Sequence, residues 1–104
     1  MARFDVYANP DRTERKPIPF LLDVQSDHIK GLQTRIVVPL WIRQALSPGL
    51  DNLNPEFEIA GPQVVMDTPA LGAVPAIALQ KRVASLIPHQ LTIQDSLDTL
   101  YGGH

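Results

Sequence analysis

The residues that could carry chemistry are few and scattered along the chain. Three histidines, His28, His89 and His104, stand far apart. They show neither the His-x3-His nor the His-Glu-x-x-His spacing that brings two imidazoles to one metal ion. The absence of cysteine removes thiolate nucleophiles, thiolate ligands and disulfides together. No Gly-x-Ser-x-Gly elbow presents a serine, and Gly102-Gly103 falls at a chain end rather than in a phosphate-cradling loop. Asp23 and Asp27 are close enough in sequence to form a carboxylate pair. Carboxylates so placed across a strand end more often fix turns by accepting backbone N–H groups. Trp41 and Met66 could anchor a ligand, but packing in a core or an interface is the commoner use of both. The residues therefore predict no enzyme, no metal site and no cofactor.

Composition narrows the partner. A chain of 104 residues makes one domain, 1–104, with room for one core. Its 44% apolar content is that of a folded protein rather than a disordered one. A net charge of −2 argues against direct nucleic acid binding and against attraction to an anionic membrane surface. No apolar run approaches the length of a membrane span. Met1-Ala2-Arg3-Phe4-Asp5 lacks the charged-then-apolar layout of a secretory signal. The expectation is a cytoplasmic protein whose partner is another protein.

The elements that must position these residues are mostly strands. Ala2, Phe4 and Val6 alternate with Arg3, Asp5 and Tyr7, which predicts a first short strand. Asn9 to Pro19 carries three prolines, two acids and three basic side chains, and reads as an exposed loop. Its cluster of Arg12, Arg15 and Lys16 makes it a candidate contact loop for a partner. Phe20, Leu22 and Val24 then fall on one side of a period-two pattern, with Leu21, Asp23 and Gln25 on the other. Ser26-Asp27 and Lys30-Gly31 break the run before Ile36, Val38 and Leu40 resume it, which predicts two antiparallel strands.

Beyond this hairpin, Trp41 to Leu46 is expected to form a turn or two of helix ended by Ser47-Pro48-Gly49. Phe57 and Ile59 point one way in an extended piece on which Val64-Val65-Met66 pairs back, and Asp67-Thr68-Pro69 breaks again. Val74 to Leu79 reads as a buried strand, with Pro75 placing it at an edge or near a bulge. The last segment changes period. Ile93, Leu97, Leu100 and Tyr101 form a helical stripe, Pro88 suits the first helical position and Gly102-Gly103 the stop. The pattern is about five to seven short strands and one terminal helix, a small antiparallel barrel or a pair of packed sheets closed by the helix.

Leu22-Asp23-Val24-Gln25-Ser26-Asp27, followed by Arg35-x-Val37-x-Pro39-Leu40, resembles the CcdB family of plasmid and chromosomal toxins. The similarity extends over nearly the whole chain, from Phe4-x-Val6-Tyr7 through Leu53-x-Pro55, Ile59-x-Gly61 and Met66-x-Thr68 to Val74-Pro75. It implies a mainly β SH3-like barrel with a C-terminal helix, assembled as a symmetric homodimer. It further implies one half of a type II toxin–antitoxin module. Toxins of this family poison DNA gyrase by lodging in the dimerisation region of its A subunit, and a cognate CcdA-like antitoxin displaces them with a disordered tail.

Site residues carry over position by position. The best-studied members end in aromatic-Trp-Gly-Ile, whereas this chain ends Tyr101-Gly102-Gly103-His104. Tyr101 keeps the aromatic and Gly103 the glycine, Gly102 stands in place of tryptophan, and His104 in place of isoleucine. In the loop, Ile29 matches the second of two family isoleucines and His28 replaces the first. Asp98 occupies a helix position that is asparagine in those members. These seven residues are the expected gyrase-binding set. The basic Arg12, Arg15 and Lys16 are the expected antitoxin edge, and Met66 and Leu100 are candidates for the dimer interface. Two alternatives stay open. One is a degenerate member that binds antitoxin without poisoning gyrase. The other is a ribonuclease toxin on the same SH3-like barrel, a reading resting on fold analogy alone.

Overall fold

The computed structural model describes residues 2–29, 31–46 and 52–102 of the chain. Among these, seven strands precede one helix: β1 (Asp5–Ala8), β2 (Phe20–Asp23), β3 (Thr34–Ile42), β4 (Glu56–Glu58), β5 (Gln63–Met66), β6 (Gly72–Pro75), β7 (Arg82–Ser85) and α1 (Gln90–Leu100). The strands form one antiparallel sheet in the order β4-β5-β3-β2-β1-β7, with β6 also paired to β3. The sheet curls into a half-barrel with the single helix at its C-terminal end, the architecture of an SH3-like barrel.

β3 is the spine of this arrangement. Along one edge it pairs with β2, Leu22 opposite Val38 and Phe20 opposite Leu40. Its other edge is divided between two strands. β6 takes the first half, with Arg35 opposite Val74, and β5 takes the second, with Leu40 opposite Met66. Pro39 sits at the changeover. Its carbonyl accepts the Asp67 N–H at 3.0 Å, and a strand residue directs its N–H and C=O to the same side. The donor that proline lacks would therefore have faced the break between β5 and β6, so no ladder bond is lost.

Period-two alternation places one set of side chains inside the curl. Val6, Leu22, Val38, Leu40, Val64 and Met66 are each fully buried there, and Ile93 of α1 closes over them. The opposite face of the hairpin is covered as well. Tyr7, Leu21 and Val37 pack with Ile18 and Leu79 in a second, smaller cluster, joined by half-buried Trp41 and Val74. Leu21, Asp23 and Gln25, on the other side of the alternation, are thus buried too.

Several expectations shift in detail. The first strand begins at Asp5 rather than Ala2, because Phe4 takes φ 74°, which no strand accommodates. Trp41 and Ile42 extend β3, and only Arg43–Ala45 forms a single 3-10 turn; Ser47-Pro48-Gly49 lies outside the described residues. Val74 to Leu79 is not one buried strand. β6 ends at Pro75, Ala76–Ala78 is a 3-10 turn, and Ile77 is 79% exposed. Pro75 does lie on an edge strand, as a residue without a donor should. β7 has no counterpart in the sequence reading. On α1, Ile93 is buried and Leu97 packs against the core, Leu100 is half-buried, and Tyr101 at the C-cap is 72% exposed.

Burial separates the leucines. Leu22 has none of its surface exposed and Leu91 has 73%. Truncating Leu22 to alanine is expected to cost about 2–5 kcal/mol, and truncating Leu91 about 0.5 kcal/mol or less. Urea unfolding midpoints at unchanged slope measure both; equal losses would mean that α1 is packed differently.

Candidate functional site

The loop that follows β2 meets the start of α1. Val24 N–H bonds Ile36 C=O at 3.0 Å, the last ladder bond before the chain leaves the sheet. Ser26 then caps a tight turn, its Oγ accepting from His28 N–H at 3.2 Å and its carbonyl accepting from Ile29 N–H at 3.2 Å. A cleft of about 260 Å³ lies between this turn and the helix, lined by Arg3, Phe4, Asp27, His28, Gln90 and Gln94 among others. His28 and the N-terminal half of α1 thus share one surface, and Ile29 beside it is 49% exposed.

Beneath the loop sits a charged pair. Asp23 is fully buried, and its Oδ2 accepts from Arg35 Nε at 2.8 Å and lies 2.8 Å from Arg35 Nη2 in an ion pair. Its other oxygen accepts Gln25 N–H at 3.0 Å, so this carboxylate does fix the strand end as its spacing predicts. Burial pushes the Asp23 pKa up, while the bonds from Arg35 and Gln25 pull it down and lose. Asp27 is not its partner. Asp27 Oδ1 accepts Arg3 N–H at 2.8 Å and lies 3.7 Å from Arg35 Nη2. Nearby Tyr7 also has a raised pKa, first through burial and then through the charges of Asp5 and Asp23.

The helix carries the same surface toward the chain end. Gln90, Gln94 and Asp98 follow at intervals of four with Tyr101 three further on, so all lie along one flank of α1. From Gln94 to Tyr101 this flank runs roughly 10 Å at helical rise. Asp98 is exposed, and so is Tyr101, which the sequence stripe assigns to the core. Its ring is free to meet a partner. Gly102 ends the helix: its N–H bonds Thr99 C=O at 3.2 Å and its φ is 72°. This is a left-handed residue just past the helix C-cap, the place where a glycine is least strained. Gly103 and His104 lie outside the described residues.

The basic loop occupies the other end of the hairpin. The connection from β1 to β2 and the one from β2 to β3 must leave opposite ends of β2. Arg12, Arg15 and Lys16 are all exposed. The loop is nonetheless ordered by its own bonds. Asn9, itself buried, donates from Nδ2 to Ile18 C=O at 2.8 Å, and Arg15 Nε donates to Asn9 C=O at 2.8 Å. Arg15 also shares a cleft of about 350 Å³ with Lys81, floored by Phe20 and Val83. Sequence reasoning passed over Lys81, because only the β1–β7 pairing brings it beside a loop so distant in the chain.

The remaining candidates divide. Met66 exposes none of its surface, so a partner chain would meet residues that cover it rather than its side chain, whereas Leu100 is half-buried. His89 packs edge-on to Phe57 with ring centroids 5.1 Å apart, which gives it a packing use. Among the described residues no group of His, Cys, Asp and Glu could hold a metal ion, and no helix is long and apolar enough to cross a membrane.

A curled half-barrel closed by one helix, with its distinguishing side chains presented on a helix flank and two loops, defines the class as a small SH3-like-barrel protein with a C-terminal helix. Residues 3–103 match the family described as CcdB protein, and the chain belongs to that family. It is thereby a toxin of the toxin–antitoxin kind. No curated protein matches the chain.

The charged pairs differ in what they do for the fold. Asp23→Ala strands the Arg35 guanidinium in the interior, and breaking a buried pair in this way is expected to cost about 3–5 kcal/mol. The Arg43–Glu56 pair, whose side chains are 41% and 42% exposed, should lose less than about 1 kcal/mol on Arg43→Ala. Chemical denaturation of the two variants checks the contrast, and similar costs would mean that Asp23 is not buried as an ion.

Proposed function

We propose that this protein is the toxin of a type II toxin–antitoxin module that binds and poisons DNA gyrase through its A subunit, acting in the cytoplasm as a homodimer. One observation carries the reading. Of the positions at which family members meet gyrase, His28 lines a cleft with Gln90 and Gln94 of α1, Asp98 follows Gln94 by one turn of the same helix, and Ile29, Asp98 and Tyr101 are all exposed. No bond is made or broken by such a protein. Its effect is to hold a cleaved-DNA complex of its target.

The tail is the weak part of this surface. A tryptophan at the centre of an interface is worth on the order of 2 kcal/mol or more, and Gly102 supplies no side chain there. Its left-handed backbone sets an opposing term, since a side chain at that φ costs roughly 1–2 kcal/mol. An imidazole at His104 also exchanges an apolar contact for a polar one, which is costly to desolvate. The left-handed cap favours a second reading, a degenerate member that dimerises and binds antitoxin without poisoning gyrase.

Neutralisation is assigned to the basic edge of Arg12, Arg15 and Lys16, extended by Lys81, against an acidic disordered tail of a CcdA-like antitoxin. Charge complementarity of this kind acts mainly on association rate and salt dependence. Arg12→Glu with Arg15→Glu should slow association several-fold and flatten its salt dependence, read by stopped flow with the cognate antitoxin. Unchanged kinetics would move the docking edge elsewhere.

The decisive measurement is accumulation of cleaved DNA by purified gyrase across a titration of the toxin. Wild type should poison less than tryptophan-bearing members do. Gly102→Trp with His104→Ile should gain, but only roughly fivefold, because the hot-spot term exceeds the strain by about 1 kcal/mol. Sedimentation at micromolar concentration should give the mass of two chains. No cleavage by wild type or by the double variant would support the degenerate reading, and a single-chain mass would count against the assembly.

A further inference from the structure

We propose that Asp27 and Arg35 are positioning residues that tether the His28–Ile29 loop against the barrel, so that the loop meets its partner pre-formed. The role in gyrase recognition rests on the functional reading above, whereas the tether itself does not.

The loop has little else to hold it. Among the described residues, the bonds of His28 and Ile29 run back to Ser26, within the turn. The Asp27 carboxylate is the group that reaches outward, to the Arg3 N–H at 2.8 Å and to the Arg35 guanidinium at 3.7 Å. Both of its anchors are themselves fixed. Arg35 is 8% exposed and clamped by fully buried Asp23, with Nη2 also 3.5 Å from Gln25 C=O. Arg3 donates from Nε to Val24 C=O at 3.1 Å, and its guanidinium lies 4.8 Å from the centroid of the Phe4 ring.

Phe4 adds a second, independent sign that this corner is built. A bulky residue at φ 74° is a backbone outlier that persists only where its surroundings over-determine it. Here Phe4 N–H donates to Asp23 C=O at 2.7 Å, Phe4 C=O accepts Leu86 N–H at 2.8 Å, and the ring is buried. The chain segment that offers its N–H to Asp27 is therefore rigid. Asp27 itself has a side chain 55% exposed. A tie made by an exposed group is weak and screened by salt. It suits a loop that must be ordered beforehand without being locked, since ordering a segment in advance removes that cost from binding.

The test uses the full chain, with backbone 15N relaxation and the affinity for a gyrase A-subunit fragment containing the dimerisation region. In Asp27→Ala the order parameters of His28 and Ile29 should fall from about 0.85 to below about 0.6, while those of Leu22 and Val38 stay unchanged. Affinity for the fragment should fall roughly fivefold. Asp27→Asn keeps an acceptor for the Arg3 N–H but loses the charge facing Arg35, so it should restore part of both. If the loop is as ordered in Asp27→Ala as in wild type, the tether is overturned whatever gyrase does. A loosened loop with unchanged affinity overturns the positioning role while leaving the functional reading in place. If Asp27→Asn matches wild type fully, Arg35 is removed from the proposal. Should wild type fail to bind the fragment, the functional reading falls, and the relaxation data alone decide the tether.

Discussion

The structure depends on β3 having partners along both edges. A buried strand cannot leave its N–H and C=O groups unpaired, and nine residues is more than either β5 or β6 can cover alone. The chain solves this by laying the two short strands end to end along one edge, with the 3-10 turn at Thr68–Ala70 between them. Pro39 stands at the join, where its missing donor faces no partner. Everything else hangs from this strand. β2 lies on its far edge and carries β1 and then β7, while β5 carries β4.

That same geometry separates two surfaces of the domain. Because β2 runs antiparallel to both of its neighbours, the basic loop before it and the His28 loop after it project from opposite ends. One end collects cations, with Lys81 joining Arg15 across a cleft floored by apolar side chains. The other end opens onto the flank of α1. The two surfaces thus share no side chain.

The interior is not wholly apolar, and the exception is informative. Asp23 and Arg35 bury a charged pair between β2 and β3 at a desolvation cost that well-packed hydrophobic residues would avoid. The pair does two things that such residues cannot. Asp23 caps the strand end by accepting the Gln25 N–H, and Arg35 keeps a nitrogen within reach of Asp27 on the loop. At the other end of the surface, Gly102 trades side-chain contact for a clean helix stop.

Local pattern was legible because its cause is local. The alternation in β2, β3 and β5 and the Ile93–Leu97–Leu100 stripe each arise from the repeat of their own backbone, and the string from Leu22 to Asp27, with the shorter motifs that follow it in order, pointed to the family that residues 3–103 match. Pairing across distance was not legible. Nothing near Arg35 marks it as the partner of Asp23, from which it is separated by 12 positions, and nothing in Arg-Val-Ala-Ser foretells β7, which is a strand because β1 offers it an edge. Exposure was decided last. Tyr101 fits the stripe by period but stands at the helix C-cap, before a left-handed Gly102, and Ile77 sits in an apolar run yet is largely exposed. Period tells which side of an element a residue occupies. Whether that side meets core, solvent or a partner is fixed only by what the rest of the chain packs against it.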